Sequence, residues 1–290
     1  MSVSSLPAGL FTGLYSLARK SGIIETRGGR WLFTRAYFLY KRHIEDPFGM
    51  LVHRHPELFS GGNVLDIGAN IGYTASVFVG AAESHYKVYA FEPEDFNFRM
   101  LQRVADSIDP AGKIVPVKAA VGDRDEDVEL WRNQVHHADH RIVTPQFRRS
   151  IPAGALQRVR MMKIDSYVAA QGAHFPIAFI KVDVQGFELP VCLGMEESLD
   201  ANPAAVVALE YTPGAMKALG FDPADLLDWL AKRKYHTYRL ARNGSFRQIQ
   251  PQHFEVRTYA DLLVSRRELA PQRLSWGHGS GVQKGAAGAH

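Results

Sequence analysis

The sequence predicts an α/β fold, a mostly parallel sheet with helices packed on both faces. Three observations lead there. From Asn63 onward, short apolar runs alternate with helical segments. Inside runs such as "IAFI" and "AAVVAL" the apolar residues are consecutive rather than alternate, the pattern of strands covered on both sides. The first run then passes through a glycine-rich turn straight into a helical segment.

In chain order, residues 1–60 form an N-terminal extension expected to be helical. Leu6, Leu10, Leu14 and Leu17 recur at helical spacing, and "RWLFTRAYFLYKRHIED" interleaves aromatics with Arg30, Arg35, Lys41 and Arg42. Such a surface either packs on the main domain or touches a membrane or anionic lipid. Residues 61–270 carry the main domain. "NVLDIG" is a strand and "YTASVFVGAA" its helix; "KVYAFEP" is a strand and "DFNFRMLQRVADSI" its helix; "KIVPVKAAVG" is the third strand. "IAFIKVDV" is the fourth, with "ELPVCLGMEESLD" as one helix, and "AAVVALEY" the fifth, with "PADLLDWLAKRK" as its helix. "YHTYRL" and "YADLLVSR" close the series, with "ARNGSFRQIQPQHF" as a loop between them. Residues 123–165 break the rhythm with a turn, a strand and a polar loop, and "RVRMMKIDSYV" reads as a further strand. An insertion there would overhang the carboxyl ends of the sheet, where ligands bind. Residues 271–290 are low in complexity and expected to be disordered.

Composition narrows the function classes. The chain has 290 residues, 46% of them hydrophobic, enough for one large core. Its 34 basic and 30 acidic residues leave a net charge of +4, too small an excess to suggest a nucleic-acid partner. The single cysteine, Cys192, excludes an internal disulfide and a cysteine-rich zinc site. There is no apolar run of membrane-spanning length and no signal-peptide pattern at the N-terminus, so a cytoplasmic location is expected, with the N-terminal helices the region to meet a membrane from outside. The sequence leaves the oligomeric state open.

The first constellation is a nucleotide pocket. "VLDIGANIG" places Asp66, Gly68, Ala69, Asn70 and Gly72 where a strand turns into a helix, and Thr74 opens that helix. Small residues let a ligand approach the backbone, and a helix start offers unpaired N–H groups. Twenty residues after Gly72, Glu92 closes the second strand ahead of Pro93, where a carboxylate can accept hydrogen bonds from both ribose hydroxyls. Dinucleotide sites need glycines to seat a pyrophosphate. Here Asn70 holds the middle position and Asp66 precedes the turn. An acid facing the ligand would repel a pyrophosphate but suit ammonium and sulfonium groups, so the pattern favours S-adenosylmethionine over NAD.

With these residues in view, the chain resembles the FkbM family of S-adenosylmethionine-dependent methyltransferases. "VLDIGANIGYTA", "YAFEP", "AAVGD", "KIDSYV" and "IKVDVQGFELPVCLGM" carry the resemblance, in that order, over roughly residues 46–266. The family's common form of the last motif is D-x-E-G-x-E, so Gln185 stands where an acid is often found. The resemblance implies a Rossmann-like, seven-stranded class I methyltransferase sheet and O-methylation, often of sugar or natural-product hydroxyls. It places Asp66, Gly68, Asn70 and Gly72 against the methionine part, Glu92 on the ribose, and Val121 and Gly122 of "AAVGD", with Asp123, beside the adenine. The acceptor is a small molecule or a glycan, including glycolipids. RNA ribose methylation and NAD-dependent oxidoreduction are the alternatives; the modest charge disfavours the first and the lack of a G-x-G-x-x-G run the second.

The second constellation concerns methyl transfer, which needs in-line approach and a destination for the hydroxyl proton. Strand alternation puts Lys181, Asp183 and Gln185 on one face at the end of the fourth strand. Asp183 can bind the cofactor's ammonium, orient the acceptor or act as base, and Lys181 reads as its ion-pair partner. Glu188 is a candidate base at the pocket mouth, or a cap on the helix that begins there. In "HHADH", His136 and His140 are four apart, yet without a helical pattern or third ligand no metal site is expected; His140 is instead a candidate base. Glu210 and Tyr211 close the fifth strand and are candidates for the acceptor pocket.

Overall fold

The computed structural model describes residue 38 and residues 46–109, 111–133, 139–151, 156–250 and 259–270. The helices expected over most of the N-terminal extension, His136 and His137, and the tail from 271 lie outside these residues.

The described chain opens with helix α1 (Phe48–Arg54) and a short 3-10 turn (Pro56–Phe59). Strand β1 (Asn63–Ile67), helix α2 (Tyr73–Phe78), β2 (Val88–Phe91), α3 (Asp95–Ile108) and β3 (Ile114–Val117) follow. Four strands then build a separate small sheet: β4 (Ala120–Val121), β5 (Glu126–Trp131), β6 (Arg141–Ile142) and β7 (Leu156–Met162). The chain continues through α4 (Ile164–Gln171), β8 (Ile177–Val182), α5 (Glu188–Leu193), α6 (Glu196–Ala201), β9 (Val206–Tyr211), α7 (Pro213–Leu219) and α8 (Pro223–Lys232). It ends with β10 (His236–Leu240), β11 (Phe246–Ile249) and β12 (Ala260–Ser265).

The large sheet has the order β11-β10-β12-β9-β8-β1-β2-β3. Strands β3, β2, β1, β8 and β9 pair in parallel, and β12 runs antiparallel to β9. The chain moves outward from β1 to β3 and then returns to β1's other side with β8. The carboxyl ends of β1 and β8 therefore flank a topological switch point, where open sheets of this kind form a crevice. This order departs from the expected seven strands by one. The extra strand, β11, lies in the segment expected to be a loop: Asn243–Gly244 makes a tight turn, with Gly244 at φ 74°, and Leu240 pairs with Phe246. An Asn-Gly pair is the sequence signal for that hairpin.

Three further expectations are revised. The strand expected over 158–168 ends at Met162, and Ile164–Gln171 is helix α4. "KIVPVKAAVG" is two strands in two sheets, because the Ala119 N–H folds back on the Val117 carbonyl at 3.0 Å. The helix expected over 188–200 is broken at Gly194, where the Gly122 backbone passes so close that any Cβ would overlap its carbonyl oxygen.

Both faces of the large sheet are covered. Leu65, Ile67, Ile180, Val182, Val207 and Leu209 face a core shared with Val191 and Cys192 of α5 and Leu226 and Leu230 of α8. Cys192 is fully buried, and burial raises its thiol pKa. On the other face Val64, Phe179 and Ala208 pack under α1, α2 and α3. There Phe48 meets Phe78 and Phe179 edge-on, with ring centroids 5.5 and 6.5 Å apart, which clamps α1 beside the switch point. A third cluster (Leu130, Ile142, Phe147, Met161, Phe187 and Leu219) joins the small sheet to the loop after β8 and to α7. No helix among the described residues is long and apolar enough to cross a membrane.

Candidate active site

A cleft of about 280 Å³ opens at the switch point. Its floor is the sheet edge. The parallel register pairs Asp66 with Lys181 and Ile67 with Val182, and Val182 in turn with Leu209. Carried one residue further, it sets Gly68, Asp183 and Glu210 side by side, and β12 adds Asp261 opposite Glu210. A row of carboxylates thus crosses the ends of three strands, all on the face that α1 and α2 cover.

Beneath this row lies Lys181, only 4% exposed. Its Nζ donates to the Gly68 carbonyl at 2.9 Å and sits 3.3 Å from Asp66 Oδ1 and from Asp183 Oδ2. Burial alone would lower the Lys181 pKa; the carboxylates of Asp183, Asp66 and Glu210 outweigh that and raise it, so the side chain is a fixed cation. Asp66, expected to face a ligand's cationic groups, is fully buried and does not line the cleft. Its Oδ2 accepts from the Thr74 hydroxyl at 2.5 Å. Asp66 anchors Lys181 and the start of α2, below the floor.

The glycine turn forms one wall. Gly68, Ala69, Asn70 and Thr74 line the cleft. Gly68 has φ 77°, and a Cβ there would overlap the Asp183 carbonyl oxygen, so the strand ends come together only over a glycine. Asn70 is also left-handed, at φ 51°, and its N–H donates to Glu92 Oε2 at 2.9 Å. Gly72 does not line the cleft; a Cβ there would press on Leu101, so it serves the packing of α2 on α3. At the end of β2, Glu92 lines the cleft beside Pro93, and its Oε1 accepts the Glu94 N–H at 2.8 Å. Burial pushes the Glu92 pKa up to about 8. Ala119, Ala120 and Val121 supply an apolar wall, whereas Gly122 faces Met161 and Phe187 instead of the cleft.

The residues present fit a nucleoside-bearing cofactor. The Asn70 Oδ1 is a buried acceptor with no partner, beside a buried carboxylate and a turn that excludes side chains. Such orphaned polar atoms in a cleft are the groups a ligand completes.

The far side holds the acidic row and the small sheet. Asp183 and Glu210 line the cleft with Gln185, whose left-handed backbone (φ 55°) turns its side chain back. Gln185 Nε2 donates to Asp183 Oδ1 at 2.8 Å and to Glu210 Oε2 at 2.9 Å. Glu210 also accepts from the Tyr259 hydroxyl at 3.2 Å. Tyr211 alternates to the opposite face, fully buried, and donates to the Pro223 carbonyl at 3.4 Å.

Glu188 does not reach the cleft. It is fully buried, and its Oε1 accepts the Gly186 N–H at 3.0 Å, so the turn beneath Asp183 folds around its carboxylate. Burial pushes its pKa up to about 7. The carboxylate braces the turn ahead of α5 from inside; it neither caps that helix through a side-chain hydrogen bond nor sits at the mouth. His140 does line the cleft, with Leu130, Asp139 and Ile142 of the small sheet and its loop. Its Nδ1 accepts the Asn133 N–H at 3.1 Å, which places the proton of the neutral tautomer on Nε2. Asp139 beside it is held by Arg141 Nε at 2.6 Å. Among the described residues, no group of three or more His, Cys, Asp and Glu is placed to hold a metal ion. The sequence reading missed Asp46 and Phe48, which line the cleft from ahead of β1 with no local motif to mark them.

Comparison with known proteins follows this geometry. The profile of the methyltransferase FkbM domain matches residues 66–240. No curated protein matches the sequence. Among solved structures, a putative rRNA-methylase from Clostridium thermocellum aligns at 9% identity and TM-score 0.44, over 77% of this chain and 96% of its own. An O-methyltransferase from Bacillus cereus in complex with SAH aligns at 10% identity and TM-score 0.42, over 75% and 77%. The O-methyltransferase TomG from Streptomyces achromogenes, in complex with SAM, aligns at 13% identity and TM-score 0.42, over 86% and 87%.

Proposed function

The chain belongs to the FkbM methyltransferase family, and on that premise we propose that it is an S-adenosylmethionine-dependent O-methyltransferase acting on a hydroxyl of a sugar, glycan, glycolipid or natural product. The observation that carries the cofactor is the pairing of Glu92 with the Asn70 turn: a buried carboxylate and an unpartnered buried amide oxygen share one wall of the cleft. S-adenosylmethionine would supply an electrophilic methyl group on a sulfonium. Glu92 would accept from the ribose hydroxyls, Ala119, Ala120 and Val121 would face the adenine, and Asp183 would take the methionine ammonium.

The O-directed part of the reading rests on the other half of the cleft. It offers a carboxylate that can take a proton, Glu210, and the His140 ring, which can orient a hydroxyl oxygen. Lys181 is already held by two carboxylates and one carbonyl, so among the described residues that line the cleft no lysine or arginine is left to draw a phosphate to these acids. That charge balance favours a neutral polyol acceptor over an RNA backbone. Titration calorimetry with S-adenosylhomocysteine and with NAD tests the assignment. Binding of the first and silence of the second are expected; heat from NAD alone overturns it.

A further inference from the structure

We propose that Glu210 is the side chain that takes the proton from the acceptor hydroxyl, and that the chain therefore releases more protons on binding S-adenosylmethionine than on binding S-adenosylhomocysteine. The inference rests on the methyltransferase reading above and adds the proton's destination to it.

Geometry sets the other candidates aside: Glu92 belongs to the opposite, ribose-side wall, Asp139 is held by Arg141 Nε at 2.6 Å, and Asp46 accepts the Gly49 N–H at 3.3 Å. Glu188 is shut behind the floor, and the His140 Nδ1 already accepts the Asn133 N–H. Asp183 is held at 3.3 Å by the Lys181 ammonium and is the group assigned to the methionine ammonium. Glu210 remains. It lines the cleft, and the Gln185 amide and the Tyr259 hydroxyl fix its two oxygens from different sides.

The charges around Glu210 explain how it loads and unloads. Lys181 and Asp183 approach from β8, Asp66 from β1, Glu188 from α5 and Asp261 from β12, with the Tyr259 phenol alongside. Several carboxylates thus share one ammonium. Burial, then the nearby Asp183 carboxylate, hold the Glu210 pKa well above the ordinary range, which favours its protonated form in the empty cluster. A cationic ligand in the same cleft favours the ionised form and expels that proton. Glu210 then takes the hydroxyl proton as the oxygen–carbon bond forms and the sulfur–carbon bond breaks with its electron pair left on sulfur. Once the sulfonium charge is gone, the protonated form is again the stable one.

The difference is measurable without an acceptor. Titration calorimetry near neutral pH, in two buffers of unlike ionisation enthalpy, counts the protons released per ligand. Wild-type protein should release up to about one more proton with S-adenosylmethionine than with S-adenosylhomocysteine. The ligands share their amino and carboxyl groups, so the difference isolates the sulfonium. Glu210→Gln should bind both and erase the difference; persistence of the difference in that variant, or its absence in wild type, overturns the proposal. Tyr259→Phe covers the case in which Glu210→Gln fails to fold, since Tyr259 is 53% exposed. Removing this donor to the carboxylate should move the proton-release profile to higher pH, and an unmoved profile counts against Glu210. Absence of binding by either ligand would instead sink the methyltransferase reading itself.

Discussion

Replacing Lys181 with methionine removes an ammonium and leaves an unbranched side chain in nearly the same space. What stays behind is costly. Asp66 is fully buried, and the Thr74 hydroxyl is its remaining partner. Removing one member of a buried ion pair typically costs 3–5 kcal/mol, roughly a third of a domain's total stability. For a domain of this size that is a fall in melting temperature of roughly 6–20 °C. An internal control exists. Lys118 and Asp95 are closer together, at 2.7 Å, but both are exposed. Lys118→Met should change stability by about 0.5 kcal/mol or less. Urea unfolding followed by circular dichroism compares the two, provided the slopes agree. Adding Asp66→Asn to Lys181→Met should recover much of the loss, since the stranded charge goes with it. If Lys181→Met costs no more than Lys118→Met, the buried network does not bear the sheet edge as argued.

Two more predictions concern titration. With the Glu92 pKa pushed up to about 8, ribose hydroxyls bound there would meet a largely protonated group at neutral pH, so S-adenosylhomocysteine should bind more tightly as pH rises through about 8. Glu92→Gln should flatten that dependence and weaken binding roughly 10- to 150-fold by calorimetry, the worth of a hydrogen bond to a charged group. Glu188 has a folded pKa of about 7 against an ordinary 4.5, so the folded state holds the extra proton between those values. Stability therefore declines as pH rises across that window and levels off above it; Glu188→Gln should show a shallower decline in thermal melts while S-adenosylhomocysteine affinity stays within about twofold.

Much of this was legible in the chain. Consecutive apolar residues in β1, β8 and β9 announced strands covered on both faces, and the spacing from Gly72 to Glu92 announced the turn and the acid that meet across β1 and β2. Both are local, or follow from one βαβ step. What stayed hidden depended on neighbours far along the chain. Asp66 reads as ligand-facing until Lys181, 115 residues later, is found paired to it in register. Glu188 reads as a base until the left-handed Gln185 and Gly186 turn it inward. The register that aligns Asp183 with Glu210 exists only once β8 and β9 have paired. Strand β11 is the exception, since its Asn-Gly turn was there to be read.

Cys192 makes the protein its own reporter. The thiol is the chain's single cysteine, and it sits fully buried on α5, the helix directly behind the turn that aims Asp183. A thiol-reactive dye can reach it only while that helix is open, so labelling reads out how often the wall of the cleft comes apart. No engineered label is needed, and no other thiol blurs the signal. Slower labelling in the presence of a ligand would measure how far that ligand closes the opening behind the acidic row.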